Sequence, residues 1–144
     1  MFKHLLVPIA DDDKLADTLK GIASLIKRDG AQVTLAFVSD PALPNMYSAS
    51  RFGHVLSEDL HKKTCEEYAE TIFAKAKPAF AGMTVHTCHV FSSKVYDGIL
   101  DAAKRSNVDA IIMASHKRTG LKGALIGSDT QAVIVHASIP VVVL

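Results

Sequence analysis

Three consecutive carboxylates, Asp11-Asp12-Asp13, stand in "PIADDDKLAD" (Pro8 to Asp17), directly behind an apolar run. Acids at the end of a first strand can share a magnesium ion with a phosphoryl group, because that hard cation takes oxygen ligands. Such a phosphoacceptor site also needs an aspartate closing the third strand and a lysine after the fifth. Here the third apolar run closes at Phe91-Ser92 and the fifth is the C-terminal stretch, so both partners are missing. A local role remains for the triplet. Aspartates in the first turn of the following helix satisfy open N–H groups and complement the helix dipole, at about 0.5–1 kcal/mol each.

A second constellation lies in residues 109–144. The apolar run "DAIIMAS" enters a polar, glycine-bearing loop, after which Gly127-Ser128 opens a helix. A helix N-terminus offers N–H groups and a positive dipole end, which suit phosphate. Ser128 adds a hydroxyl, and Lys117, Arg118 and Lys122 add cations from the loop. His116 shares this loop: its neutral imidazole either bonds a phosphate or ribose hydroxyl or braces the loop. His86, Cys88 and His89 invite a metal reading, but alternation puts His89 on the opposite strand face from the other two. Two ligands are too few for a closed zinc site, so these residues are expected to pack the strand. No serine or cysteine has a base and orienting acid at recognisable spacing. HEXXH, Walker and GxGxxG motifs are absent.

The elements that must position these groups alternate along the chain. Strands are expected at His4 to Ala10, Gln32 to Ser39, Thr84 to Phe91, Asp109 to Ser115 and in "IPVVVL". A helix carrying Leu15, Leu19, Ile22 and Ile26 stops at Gly30. Another opens at Ser57 with Glu58 and Asp59, carries Leu60, Cys65, Tyr68 and Ile72, and ends before Pro78. A third, capped by Ser92 or Ser93, runs through Val95, Ile99, Leu100 and Ala103 to Asn107; the last begins at Gly127-Ser128 and includes Val133 and Ile134. The alternation predicts a single α/β domain over residues 1–144, a three-layer α/β/α arrangement with a five-stranded parallel sheet. Ligands are then expected at the carboxyl ends of the strands, near the switch in strand order. Residues 40–57 form the one long irregular stretch.

Composition narrows the partners. Sixteen basic against fifteen acidic side chains leave a net charge of +1, which argues against nucleic acid. The first apolar run is too short for a membrane span and meets acid at once, so neither a secretory signal nor a membrane segment is expected. Cys65 and Cys88 are far apart, as in a reduced, cytoplasmic protein. The apolar tail "IPVVVL" would be an exposed edge hazard unless paired.

The chain resembles the universal stress protein family. That family's ATP signature, Gly-x2-Gly-x9-Gly-Ser/Thr, falls in frame on Ala114, Lys117, Gly127 and Ser128, and "SHKRTGLKGALIGS" is similar to the family's "SHGRxGLxxxLLGS". "HLLVPIADDD", "LAFVSD" and "VYDGILDAAKRSNVDAIIMAS" are similar to its other strands and penultimate helix, so the resemblance covers essentially the whole chain, least at residues 40–57. It implies a Rossmann-like fold and a cytoplasmic homodimer, paired through a C-terminal strand with Ile139, Val141, Val142 and Val143 in the interface. It implies a stress-response module that binds or senses ATP, ADP or AMP, with or without magnesium, and at most slow ATP hydrolysis. The implied pocket has Pro8, Ile9 and Ala10 at its base and Val38 beside the adenine. Ala114, His116, Lys117, Arg118, Gly127 and Ser128 surround ribose and phosphates. Ala10 stands in place of the family's aspartate, and Ala114 and Lys117 in place of two glycines. The alternative implication is a dimer that binds no nucleotide, with Lys117 in the phosphate site, acting through protein partners not yet identified; a hydrolase using His116 is a third.

Overall fold

The computed structural model describes residues 2–42, 58–114 and 127–144. Its strands are β1 (His4–Pro8), β2 (Gln32–Ser39), β3 (Val85–Phe91), β4 (Ala110–Met113) and β5 (Val141–Val143). All pair in parallel, in the order β3-β2-β1-β4-β5. β1 is central, and Leu5, Leu6 and Val7 are buried on alternate faces, as an unbroken apolar run requires. Leu5, Val7 and Ile9 join a core with α1 (Leu15–Ile26) and α2 (Glu58–Ala76). Leu6 joins a second core on the other face, with α3 (Val95–Ser106) and α4 (Ser128–His136). The expected five-stranded parallel sheet and its helical layers are therefore present.

Element ends follow local chemistry. After α1 the chain tightens into a 3-10 turn, Lys27–Asp29, before Gly30 adopts the left-handed conformation at φ 65°. Asn107 ends α3 in the same way at φ 52°, its N–H reaching the carbonyls of Ala103 and Lys104. Four strands are shorter than the apolar runs suggest. β1 stops at Pro8, although Ile9 still donates to the Ala36 carbonyl (2.8 Å). β5 starts after Pro140, which has no N–H but accepts from Ile111 (3.0 Å).

The apolar reading of α2 needs correction. Its buried stripe is Ala69, Ile72, Phe73 and Ala76, whereas Leu60 and Tyr68 are 41% and 46% exposed. The run 69, 72, 73, 76 has true i, i+3, i+4, i+7 spacing, and it lies only in the second half of the helix. The caps also differ. Lys14 and Lys94 occupy the N-cap positions of α1 and α3 without a side-chain cap bond. Ser92 instead braces the approach to α3, its hydroxyl donating to the Lys94 carbonyl (2.8 Å). Ser57 lies outside the described residues.

At the amino end of the sheet, Asp109 accepts from the N–H groups of Lys3 (2.8 Å) and His4 (3.1 Å). These bonds, the Lys3 bond first, hold its carboxyl below the usual aspartate value. His4 meets the Thr34 hydroxyl at 2.6 Å and lies 5.7 Å, ring to ring, from His86. Burial first, then the nearby His86, holds the His4 imidazole below its ordinary pKa. Burial does the same for His89.

Two outcomes follow. A histidine whose folded pKa is lowered takes up protons more readily when unfolded. Its stabilisation is complete above about pH 6.5 and is lost as pH falls below that value. The urea midpoint should therefore drop between pH 7 and pH 5, and His4→Gln should flatten that slope; an unchanged slope in the variant would refute the assignment. Asn107→Gly should be neutral or stabilising, while Asn107→Val should cost about 1–2 kcal/mol, because only the valine resists the left-handed conformation.

Candidate functional site

The chain lays β2 and β3 to one side of β1, then crosses to add β4 and β5 on the other. β1 and β4 therefore adjoin at the switch in strand order, and a crevice opens at their carboxyl ends. A cavity of about 230 Å³ fills that crevice. Pro8, Ile9 and Ala10 form its floor at the end of β1, with Met113 and Ala114 from β4 beside them. Ala36, Phe37 and Val38 wall it from β2, and Val95 and Ile99 from α3. Leu15, Thr18 and Leu19 from α1 close another side. The lining is mostly apolar, with a few polar groups at the rim, which is the usual make-up of a small-molecule site.

The rim is acidic. Asp12 and Asp129 both reach the cavity, as does the buried Thr130. Asp129 and Thr130 belong to the first turn of α4, where Gly127 is the N-cap with ordinary extended angles (φ −59°, ψ 153°) and no side-chain cap bond. The Gly127 carbonyl accepts the first helical bond from Gln131 (3.0 Å). Among the described residues nothing would lie within 4 Å of a Cβ at position 127. This helix end is an anion-attracting feature, and Asp129 already answers its dipole.

The aspartate triplet departs from the first-turn expectation. α1 starts only at Leu15, and the acid in its first turn is Asp17. Asp11 to Asp13 form a turn ahead of it: Asp12 N–H donates to the Ala10 carbonyl (3.1 Å), and the Asp12 carboxylate accepts from Lys14 N–H (2.8 Å). Asp11 points to α2 instead. It accepts a short bond from the Tyr68 hydroxyl (2.5 Å) and lies 3.9 Å from the Lys75 ammonium. That hydrogen bond pushes the Tyr68 phenol above its usual pKa. The Tyr68 ring also meets Phe37 edge-on at 5.9 Å, so the floor of the crevice is tethered to α2 through an exposed tyrosine.

Of the residues put forward from the sequence, Pro8, Ile9, Ala10, Val38 and Ala114 come together on the cavity. Gly127 and Ser128 stand immediately before Asp129 and Thr130, which line it. His116, Lys117, Arg118 and Lys122 lie outside the described residues. Asp12, Thr18, Phe37, Val95, Ile99, Met113 and Thr130 were missed. Their signal is positional, since they neighbour strand ends or repeat at helical spacing from residues already named. His86 bonds the Gln32 side chain (3.0 Å), and His89 bonds Ser39 (2.8 Å) between Phe37 and Phe91. Among the described residues no group of three or more His, Cys, Asp or Glu side chains is placed to hold a metal. None of the described helices is long and apolar enough to cross a membrane.

Comparison with known proteins agrees with this fold. The model of the universal stress protein family matches residues 1–144. Universal stress protein MJ0531 of Methanocaldococcus jannaschii is 24% identical over 143 residues, 99% of this chain and 82% of that protein. Universal stress protein YxiE of Bacillus subtilis is 25% identical over 147 residues, 99% of each. Among solved structures, protein MJ0577 superposes with a TM-score of 0.73 at 27% identity, over 100% of this chain and 96% of that one. Two further structures are similar in fold. A universal stress protein in complex with cAMP gives a TM-score of 0.64 at 14% identity, over 99% and 96% of the two chains. The Archaeoglobus fulgidus universal stress protein in complex with dAMP gives 0.56 at 17%, over 98% and 96%.

Proposed function

The chain belongs to the universal stress protein family, and from that premise we propose that it binds an adenine nucleotide (ATP, ADP or AMP) in the crevice at the carboxyl ends of β1 and β4. The observation that carries this reading is the cavity itself. It has apolar walls for a base, lies at the strand-order switch, and has a helix N-terminus at its rim. The relatives of this fold that hold cAMP and dAMP support the choice of ligand. Pro8, Ile9 and Ala10 take the base, with Val38 against the ring. Ala114, His116, Lys117, Arg118, Gly127 and Ser128 meet ribose and phosphates. The Asp12 and Asp129 carboxylates are the oxygen donors a magnesium ion would take alongside the phosphates. The reading includes at most slow ATP hydrolysis.

One observation favours a second reading. Two carboxylates at the cavity oppose a phosphate of like charge. In this reading the chain binds no nucleotide, Lys117 occupies the phosphate site, and the protein acts through protein partners.

Thermal unfolding separates them. Millimolar ATP, ADP or AMP should raise the melting temperature by several degrees, as a ligand at about 100 times its Kd stabilises by about 2.7 kcal/mol. Gly127→Val, whose Cβ meets none of the described residues within 4 Å, and Ser128→Ala should abolish the rise. No rise with any of the three nucleotides in the parent protein selects the second reading.

We also propose a cytoplasmic homodimer. Among the described residues β5 pairs only with β4 and forms one border of the sheet, its three valines half-buried within the protomer. A second copy would cover that border through Ile139, Val141, Val142 and Val143. Val142→Asp should give monomers or insoluble protein on sizing chromatography. A well-folded dimer in that variant would rule out this interface.

A further inference from the structure

Gly98 is buried near the start of α3, with Val38 of β2 packed directly on it. A Cβ at this position would stand 2.6 and 2.7 Å from the two Val38 methyls and 3.2 Å from the Ser92 Cβ. Carbon atoms pack at about 3.5–4.0 Å, so both methyl contacts are excluded for any residue but glycine in this arrangement. Rotation of Val38 gives no escape. Its two methyls occupy two of three staggered positions, and both of those face Gly98. Turning the side chain by one step moves only one methyl away. The separation of α3 from β2 is therefore fixed by the missing side chain.

That separation is also a dimension of the crevice. Val95 and Ile99, three residues before and one after Gly98, line the cavity from α3, and Val38 lines it from β2. A Cβ at 98 has to displace α3 or Val38, and either movement shifts this wall. We propose that Gly98 is a specificity-determining residue: it closes α3 on Val38 so that the slot above Ile9 accepts an unsubstituted heterocycle and excludes one enlarged by a bulky substituent. It acts through Val38, Val95 and Ile99 and touches no ligand itself. The identity of the ring as adenine rests on the reading of the preceding subsection; the geometry of the wall does not.

The test compares AMP with N6-benzyl-AMP by calorimetry, alongside crystal structures of the parent and Gly98→Ala proteins. Alanine is a better helix former than glycine, so the helix itself is not put at risk. Gly98→Ala should weaken AMP binding about tenfold while N6-benzyl-AMP loses less or gains, so that the preference between them shifts. Val38→Ala added to Gly98→Ala should return α3 to its parent distance from β2 in the crystal, a rescue that a general loss of stability would not give. Val38→Ala alone, which opens the slot from the strand side, should shift the preference towards the benzyl analogue. In the Gly98→Ala crystal, α3 should stand farther from β2. An unmoved α3 with Val38 repacked, or equal losses for both nucleotides, overturns the proposal. If the parent protein binds neither nucleotide, the adenine reading and the ligand part of this proposal both fail, and the α3 displacement alone decides whether Gly98 sets the wall.

Discussion

The burial of β1 on both faces is the constraint from which the other elements take their places. Leu5, Leu6 and Val7 have almost no exposure, so helices must cover the strand above and below, and further strands must flank it on both edges. Each fully buried aliphatic side chain of this kind is worth about 1.5–3 kcal/mol, far more than any single surface contact in the chain. A central parallel strand with neighbours on both edges also forces the chain to reverse its direction of winding. That reversal leaves the crevice, so the core and the site have one origin.

The crevice then combines two environments. Its walls are aliphatic and aromatic, drawn from strand ends and from the first turns of helices. Its rim carries Asp12 and Asp129, placed by a tight turn after β1 and by the start of α4. The walls suit a ring; among the described residues the rim sets two carboxylates, which suit a cation, beside the N-terminus of α4, which suits an anion. Asp11 takes no part at the cavity because Tyr68 and Lys75 draw it to α2.

Much of the fold was legible because its signals are strong and local. Unbroken apolar runs marked the strands, and Gly30 and Asn107 marked helix ends through the left-handed conformation they adopt. The crevice floor was legible too, since a parallel sheet places its ligands at strand ends. What escaped was tertiary in origin. The buried face of α2 rests on Ala69, Phe73 and Ala76, and alanines give little signal beside Leu60 and Tyr68. The aspartate triplet reads as a helix start, yet the turn through Asp12 delays the helix to Leu15. Gly98 carries no signal of its own in the sequence; only the proximity of Val38 gives it meaning.

The Asp109 bridge has a consequence for how the chain is made. Its carboxylate holds the N–H groups of Lys3 and His4, residues 106 and 105 positions earlier. Ribosomes add about 5–20 residues per second, so β1 waits several seconds for the strand that completes its second edge. During that interval β1, α1 and β2 can associate among themselves, but the border awaiting β4 is bare. The crevice is thus among the last features to exist on a nascent chain, and anything that shields the uncovered border of β1 during synthesis would favour correct assembly over association between neighbouring chains.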